Sequence, residues 1–420
     1  MHGMHAEPMT LPTIDFERLQ HDIEALSRIG RQEDQGINRP AFSPAFIEAQ
    51  RWLTSRLEDA GLHWEQDDAI NVIGRLPGPK DMPSVLTGSH LDSVPGGGHL
   101  DGALGVVAGL EALRRLKELG VTLARPLELV AFTDEEGRFG GMLGSQAMAG
   151  HLTPEAIVNA RDLRDESLVD AMKALDLDAM RMLRAARSPR SVHAFVELHI
   201  EQGPVLDREN LHLGAVEGIV GLFKWAVRLR GQANHAGTTP MNMRQDAFQG
   251  LAEFAGELDR VLEEHGGDGS VATIGRVELF PGAANVVPAR VDFTLEVRDI
   301  DPDVLAELGL GLRRAISAIA RRRGLMFEFD VLSEIDPVRC DAGVLQAIED
   351  SARSLGVSAH RMPSGAAHDA QSMADLCPVG MIFVPSKDGR SHSPAEWTAW
   401  ESIEFGANCL LRTLLQLVSA

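Results

Sequence analysis

The sequence predicts an α/β protein whose mixed, mostly parallel sheet is interrupted by an inserted ferredoxin-like α+β unit. Three observations carry that reading. Short, continuously apolar runs alternate with helical or Gly-rich stretches between residues 72 and 200, as expected of strands buried on both faces. From about residue 217 the runs lengthen and alternate apolar with polar. After about 336 the chain returns to helix, strand and helix. The expected domains are therefore 1–216 with 336–420, and an insertion at 217–335, since 420 residues exceed one ordinary core.

In chain order, residues 14–30 and 43–61 read as amphipathic helices, the second opened by Ser43-Pro44 as cap and first turn. VIGRL (72–76), SVLTGSH (84–90), LELVAFT (127–133), AFVELHI (194–200) and VGMIFVP (379–385) read as short strands. An apolar helix at about 103–119 follows the Gly-rich segment GGGHLDGALG. In the insertion, FKWAVRLRG (223–231), SVATIGRVEL (270–279), ARVDFTLEVRD (289–299) and MFEFDVLSEI (326–335) are separated by helical stretches at 245–264 and 302–323. This is the β-α-β-β-α-β order of a ferredoxin-like fold. Arg321, Arg322 and Arg323 fall at a helix end, where they are solvated and complement its dipole. The chain closes on an apolar helix, 400–418.

Composition removes whole classes of function. Forty basic against sixty-one acidic residues give a net charge of −21, which opposes a nucleic-acid partner. No apolar run reaches the roughly 18 residues of a membrane helix, and the first residues lack a signal-peptide pattern, so a soluble, cytoplasmic protein is expected. Cys340, Cys377 and Cys409 are widely spaced, which suggests neither a disulfide framework nor a thiolate metal site. Tyrosine is absent, so any acid or base is His, Glu, Asp or Lys. His2 and His5 read as part of a disordered tail.

Ligands of open α/β sheets bind beyond the carboxyl ends of the strands. The chain places its polar chemistry there. SVLTGSH leads into His90 and Asp92, LELVAFT into Asp134, Glu135 and Glu136, and AFVELHI carries His199 followed by Glu201; VGMIFVP is followed by His392. Asp101 lies in the Gly-rich segment. Taken alone, a strand-end histidine is usually structural and an acidic run is usually a solvated turn. Four such features at successive strand ends point instead to a metal centre. Imidazole and carboxylate suit Zn, Mn, Co or Ni, and His90, Asp101, Glu136, His199 and His392 are more ligands than one tetrahedral ion needs. Two divalent metal ions about 3.5–4 Å apart, bridged by Asp101, fit the count. Asp92 is placed to accept the other N–H of His90. Glu135 is assigned as general base, its pKa raised by desolvation when a domain closes.

The motifs TGSHLDSVPGGGHLDGALGVVAGLEAL, FTDEEGRFGGMLGSQAMAG, ELHIEQGPVL, RGQANHAGTTPM, NVVPARVDFTLEVRD, MPSGAAHDAQ and SHSPAEWT, in collinear order, resemble the M20-type amidase family of L-carbamoylases, allantoate amidohydrolases and β-ureidopropionases. The resemblance runs from about residue 20 to the C-terminus. It implies a zinc-peptidase-like catalytic domain with a lid and dimerisation domain, a small ureido or amide substrate bearing a carboxylate, and a homodimer formed through the insertion. It matches the five ligands and the base. It further implies that His235 stabilises the oxyanion from across the dimer, that Asn285 and Arg298 bind the substrate carboxylate, that Gln202 lines the pocket, and that Ser364-Gly365-Ala366 supplies backbone contacts. The plainer readings are an ion pair of Arg298 with Asp299 or Asp301, and turn bonding for His235, Gln202 and Asn285.

Two departures bear on the substrate. EEGRF is one residue shorter than many members, which carry Ser or Ala between Gly and Arg, and Trp397 stands where many have Tyr. The reaction expected is cleavage of the carbamoyl C–N bond of an N-carbamoyl-L-amino acid, with allantoate or N-carbamoyl-β-alanine as other substrates. An M20 dipeptidase or aminoacylase and a non-catalytic binding scaffold are the competing readings. The intact Glu135 and full ligand set speak against the scaffold.

Overall fold

The computed structural model describes residues 11–419, so His2 and His5 lie outside the described residues. Its strands are β1 (His63–Gln66), β2 (Val72–Leu76), β3 (Ser84–His90), β4 (Leu127–Phe132), β5 (Val192–Ile200), β6 (Leu213–Ile219), β7 (Gly221–Arg230), β8 (Val271–Phe280), β9 (Arg290–Asp299), β10 (Met326–Ile335), β11 (Val338–Arg339), β12 (Ala359–Ser364) and β13 (Val379–Val384). The chain divides into two compact units, one with residues up to Glu217 and from Cys340, the other Gly218–Arg339.

The sheet of the larger unit runs β1-β2-β4-β3-β5-β13-β6, with β12 also on β6. Its centre, β4-β3-β5-β13, is parallel. Every residue of β3, β4 and β13 is buried, so both faces are covered, as the continuous apolar runs require. The helices Ala103–Glu118 and Trp400–Ser419 pack on this centre, and the short helices Leu143–Ala149 and Asp369–Met373 lie against β4, β5 and β13. VIGRL, grouped from sequence with the other short strands, proves antiparallel to β4. Antiparallel β6 closes the other side on β13. The sequence reading missed β1, β6, β11 and β12. These marginal strands are short or only partly apolar, and pairing, not pattern, makes them strands.

Local chemistry sets the helix boundaries. Ser43 caps Pro44–Asp59 by accepting from the Phe46 amide, and Asp15 caps Phe16–Leu26 through Arg18. Phe46, Leu53 and Leu57 are fully buried along one face of the former helix.

In the smaller unit the order is β10-β7-β9-β8, all antiparallel. The helices Ala247–His265 and Pro302–Arg323 cover one face. Phe223, Trp225, Val227 and Leu229 of β7 and Val291, Phe293, Leu295 and Val297 of β9 point into that core. The intervening residues form ion pairs on the other face, such as Lys224–Glu296 at 3.2 Å and Arg228–Asp292 at 3.1 Å. Arg322 and Arg323 at the end of the second helix also meet a partner, Glu253 on the first. Gly324, in a left-handed conformation, stops the helix there.

Candidate metal centre

The parallel registers fix the rim of the larger unit. His90 ends β3 opposite Phe132 of β4, and His199 of β5 sits opposite Phe383 of β13. Asp101 enters just before the helix Ala103–Glu118, and Glu135, Glu136 and His392 follow β4 and β13. Two groups of ligand-type atoms result, each gathered within 4.8 Å: His90, Asp101 and His199; and Asp101, Glu136 and His392. Asp101 belongs to both. Its Oδ1 lies 3.2 Å from His199 Nε2 and 3.7 Å from His90 Nε2, while its Oδ2 lies 3.2 Å from His392 Nε2. His392 Nε2 is also 3.3 Å from Glu136 Oε2. Glu135 Oε2 stands beside the same centre, 3.5 Å from His90 Nε2.

The imidazoles are held in the form a ligand needs. His90 Nδ1 bonds the Asp92 carbonyl at 3.1 Å and His199 Nδ1 the Ile200 carbonyl at 2.9 Å. A carbonyl only accepts, so each Nδ1 carries a proton and each Nε2 is the ring nitrogen turned toward the carboxylates, the atom that ligates when a cation takes the place of its proton. The partner expected for His90 was the Asp92 side chain; the backbone carbonyl takes that place, and the carboxylate is 3.9 Å away. Asp92 instead accepts from the amides of Glu135 at 3.3 Å and Glu136 at 3.1 Å, fixing the acidic turn against the end of β3. Gly102, at φ 63°, is required by close approach: a Cβ there would stand 2.4 Å from the His90 ring.

The donor set fits divalent cations. His90 Nε2 and Glu136 Oε1 are buried without hydrogen-bond partners, which a folded protein rarely tolerates unless something else binds them. Burial, with repulsion from Asp101, pushes the Glu136 carboxyl up to about 8. Burial and then the Glu136 charge hold Glu135 well above its ordinary range. Burial opposes the charged His199 imidazole, but the hydrogen bond and charge of Asp101, with the charge of Glu197 and the Ile200 carbonyl, together outweigh it and lift the group to about 9; His392 is raised to about 9 chiefly by its own bond to Asp101. Crowded carboxylates add to burial in raising the acids and work against it in raising the imidazoles. The cluster concentrates negative charge that calls for cations among the carboxylates.

Other expected residues fall in several places. Gln202, at φ 60°, joins the cluster: its amide donates to Asp101 Oδ2 at 3.0 Å and lies 3.3 Å from Ser391 Oγ. Gly365 follows β12, in a turn where Ser364 Oγ accepts from the Ala366 amide at 3.2 Å. His235, Asn285 and Arg298 belong to the smaller unit. There the Asn285 carbonyl accepts from Ala236 at 2.9 Å, so the segments bearing His235 and Asn285 run side by side. Both residues are exposed. His235 Nδ1 accepts from the amides of Gly237 and Thr238, which leaves the proton on the outward Nε2, the form able to donate to an oxyanion. Arg298 donates through Nε and a terminal nitrogen to Glu296, at 2.9 and 2.7 Å. Of the partners weighed from sequence, Asp299 accepts from Ser270, and Asp301 caps the following helix.

The sequence reading passed over four buried or near-buried groups. Glu197, two residues before His199 on the same strand face, accepts from Ser89 at 2.7 Å and Ala370 at 3.0 Å. His368, 4.5 Å from His199 between ring centres, forms a further ligand-type group with it and Glu197. Glu396 accepts the amides of Leu100 at 2.9 Å and Asp101 at 3.1 Å, and Ser391 joins Glu396 to Asp101. The two-residue spacing of Glu197 and His199 was a readable signal. The role of Glu396 depends on a contact across almost 300 residues and had none. Trp397, one of the departures, packs on His99 and Trp400, away from the ligand atoms. Arg138, in the shortened EEGRF, donates to the Ala41 carbonyl at 2.7 Å and pairs with Glu166. Among the described residues no helix is long and apolar enough to cross a membrane.

Comparison with known proteins gives this arrangement its kin. An N-carbamoyl-L-amino acid amidohydrolase of Geobacillus stearothermophilus is 43% identical over 96% of this chain and 99% of its own. An allantoate amidohydrolase of Escherichia coli strain K12 is 35% identical over 96% and 98%. A crystal structure of a hydantoinase/carbamoylase family amidase from Burkholderia multivorans superposes with a TM-score of 0.90 at 33% identity, covering 97% of this chain and 99% of that one. The sequence profile of peptidase family M20/M25/M40 matches residues 86–416, a span that holds every ligand-type side chain of the rim, and the chain therefore belongs to that metal-dependent family of hydrolases.

Proposed function

We propose that the protein is a binuclear amidohydrolase that cleaves the carbamoyl C–N bond of an N-carbamoyl-L-amino acid, consuming one water and yielding the amino acid, ammonia and carbon dioxide. The observation that carries this reading is the pair of ligand groups sharing Asp101, with Glu135 beside them. The relative at 43% identity favours N-carbamoyl-L-amino acids over allantoate, whose hydrolase is 35% identical.

His90, Asp101 and His199 would hold one ion, and Asp101, Glu136 and His392 the other. The chemistry such ions supply is polarisation of a carbonyl made unreactive by two donating nitrogens, and a lowered pKa for water. Glu135, freed to ionise once cations offset its neighbours, takes a proton from the attacking water and returns it to the leaving nitrogen. His235 donates its Nε2–H to the developing oxyanion. Arg298 presents a planar fork to the substrate carboxylate, assisted by Asn285, and Gln202 and Gly365 line the site. The assembly proposed is a cytoplasmic homodimer.

The test is metal analysis of the purified protein together with ammonia release from N-carbamoyl-L-amino acids, N-carbamoyl-β-alanine and allantoate. Turnover highest with an N-carbamoyl-L-amino acid at two ions per chain supports the reading. Release of amino acid from dipeptides or N-acyl amino acids, without ammonia from any ureido acid, overturns it.

A further inference from the structure

Arg39 is one of the largest side chains fully enclosed in the larger unit, at 1% exposure, yet it carries a charge and has no part in the chemistry above. An isolated buried guanidinium is costly, so its surroundings should show what it serves. Its Nε donates to the carbonyl of Leu91, the residue between His90 and Asp92. A terminal nitrogen reaches the carbonyls of Ile29 at 3.0 Å and Leu26 at 3.3 Å, at the end of the helix Phe16–Leu26.

The backbone of Arg39 is tied to the same segment. Its amide donates to Ser93 Oγ at 3.0 Å, and its carbonyl accepts from the Ser93 amide at 3.1 Å. Ser93 Oγ donates on to the Ile37 carbonyl at 3.3 Å, and Ile37 exchanges two 2.9 Å bonds with Gly97. Gly36 lies so close to Gly96 that a Cβ would meet it at 2.9 Å. Residues 36–39 thus form a strap along residues 91–97, the stretch joining the His90–Asp92 end of β3 to the Gly-rich loop of Asp101. Burial draws the guanidinium down to about 10 against the charge of Asp92, which leaves it a cation at neutral pH.

We infer that Arg39 is a positioning residue of the metal centre: it clamps the backbone between His90 and Asp92, the segment whose Asp92 carboxylate anchors the turn of Glu135 and Glu136. The inference rests on the binuclear reading proposed above. An apolar side chain could fill the same volume; it could not hold three carbonyls. The ion held by His90 should feel the loss of Arg39 most.

Arg39→Met and Arg39→Lys are compared with the wild type by competitive chelator titration with Zn²⁺ and Mn²⁺, alongside the unfolding midpoint of each metal-stripped protein. Loss of a support behind a ligand typically weakens a site by about 10–100-fold. Arg39→Met is expected to weaken one of two ions by that factor while the other stays bound, with Arg39→Lys recovering part of the loss. A pure packing role would lower the midpoint and leave both affinities unchanged, and that result overturns the inference. If Arg39→Met does not fold, Arg39→Lys decides: weakening of one ion supports the inference, and wild-type affinity for both overturns it. Failure of the binuclear reading would appear separately, as a wild-type protein that does not take up two ions.

Discussion

The two units place their candidate functional groups in opposite settings. In the larger one, His90, Asp101, Glu136 and His199 are buried or nearly so, with only His392 of the five half-exposed, and carbonyl bonds at Nδ1 orient the two buried imidazoles. In the smaller one, His235 and Asn285 are exposed on loop segments and Arg298 sits among ion pairs on an open sheet face. Burial with backbone locking suits groups that must hold cations at fixed spacing. Exposure with local pairing suits groups that meet a substrate and release it. If that contrast is functional, changes in the larger unit should alter metal content, and changes in the smaller one should alter substrate handling alone.

The largest expected effect is at the shared carboxylate. Asp101→Ala should release both ions and lower activity by more than the roughly 10²–10⁴-fold typical of a lost general base; retention of both ions, read by elemental analysis, would remove Asp101 from its bridging place. Glu135→Gln should cost about 10²–10⁴-fold in kcat while both ions stay bound. Near-normal turnover of that variant sinks the assignment of the base.

Smaller effects are expected across the other half of the contrast. Arg298→Lys keeps the charge but loses the fork, and should raise KM by about 10–100-fold, as expected of a lost charged hydrogen bond, with metal content unchanged. A drop in bound metal would erase the distinction between the units. The gentlest test is of pH. Imidazoles raised to about 9, as His199 and His392 are, stabilise the fold fully below their unfolded value near 6.5 and lose that contribution as pH climbs through 9. Glu136, raised to about 8, acts in the same direction, because the folded carboxyl keeps a proton that the unfolded one has shed. The metal-stripped protein should therefore lose stability as pH rises from about 6 to 9, whereas the loaded protein should not, since ions stand where protons stood. Parallel unfolding midpoints with and without chelator would contradict this.

Much of this contrast was readable in the sequence. Strands buried on both faces write continuous apolar runs, so β3, β4, β5 and β13 were found, and their polar ends marked the rim. The 2-residue alternation of β7 and β9 likewise exposed the ferredoxin-like order. What escaped were properties made by distant pairing. The strand β6 exists through β13, the Asp101 loop is held by Glu396, and the His90–Asp92 segment is held by Arg39. Glu296, a partner of Arg298 not weighed from sequence, lies two residues away on the same strand face, where a strand's period brings side chains together, while Asp299 points to the other face.

The central claim is that Asp101 joins two cation sites. Diffraction from crystals of the loaded protein, collected at the absorption edge of the bound metal, tests it most directly. The account predicts two anomalous peaks about 3.5–4 Å apart on either side of the Asp101 carboxylate, one against His90 and His199, the other against Glu136 and His392. A single peak, or a peak among Glu197, His199 and His368 in place of one of these, would contradict it.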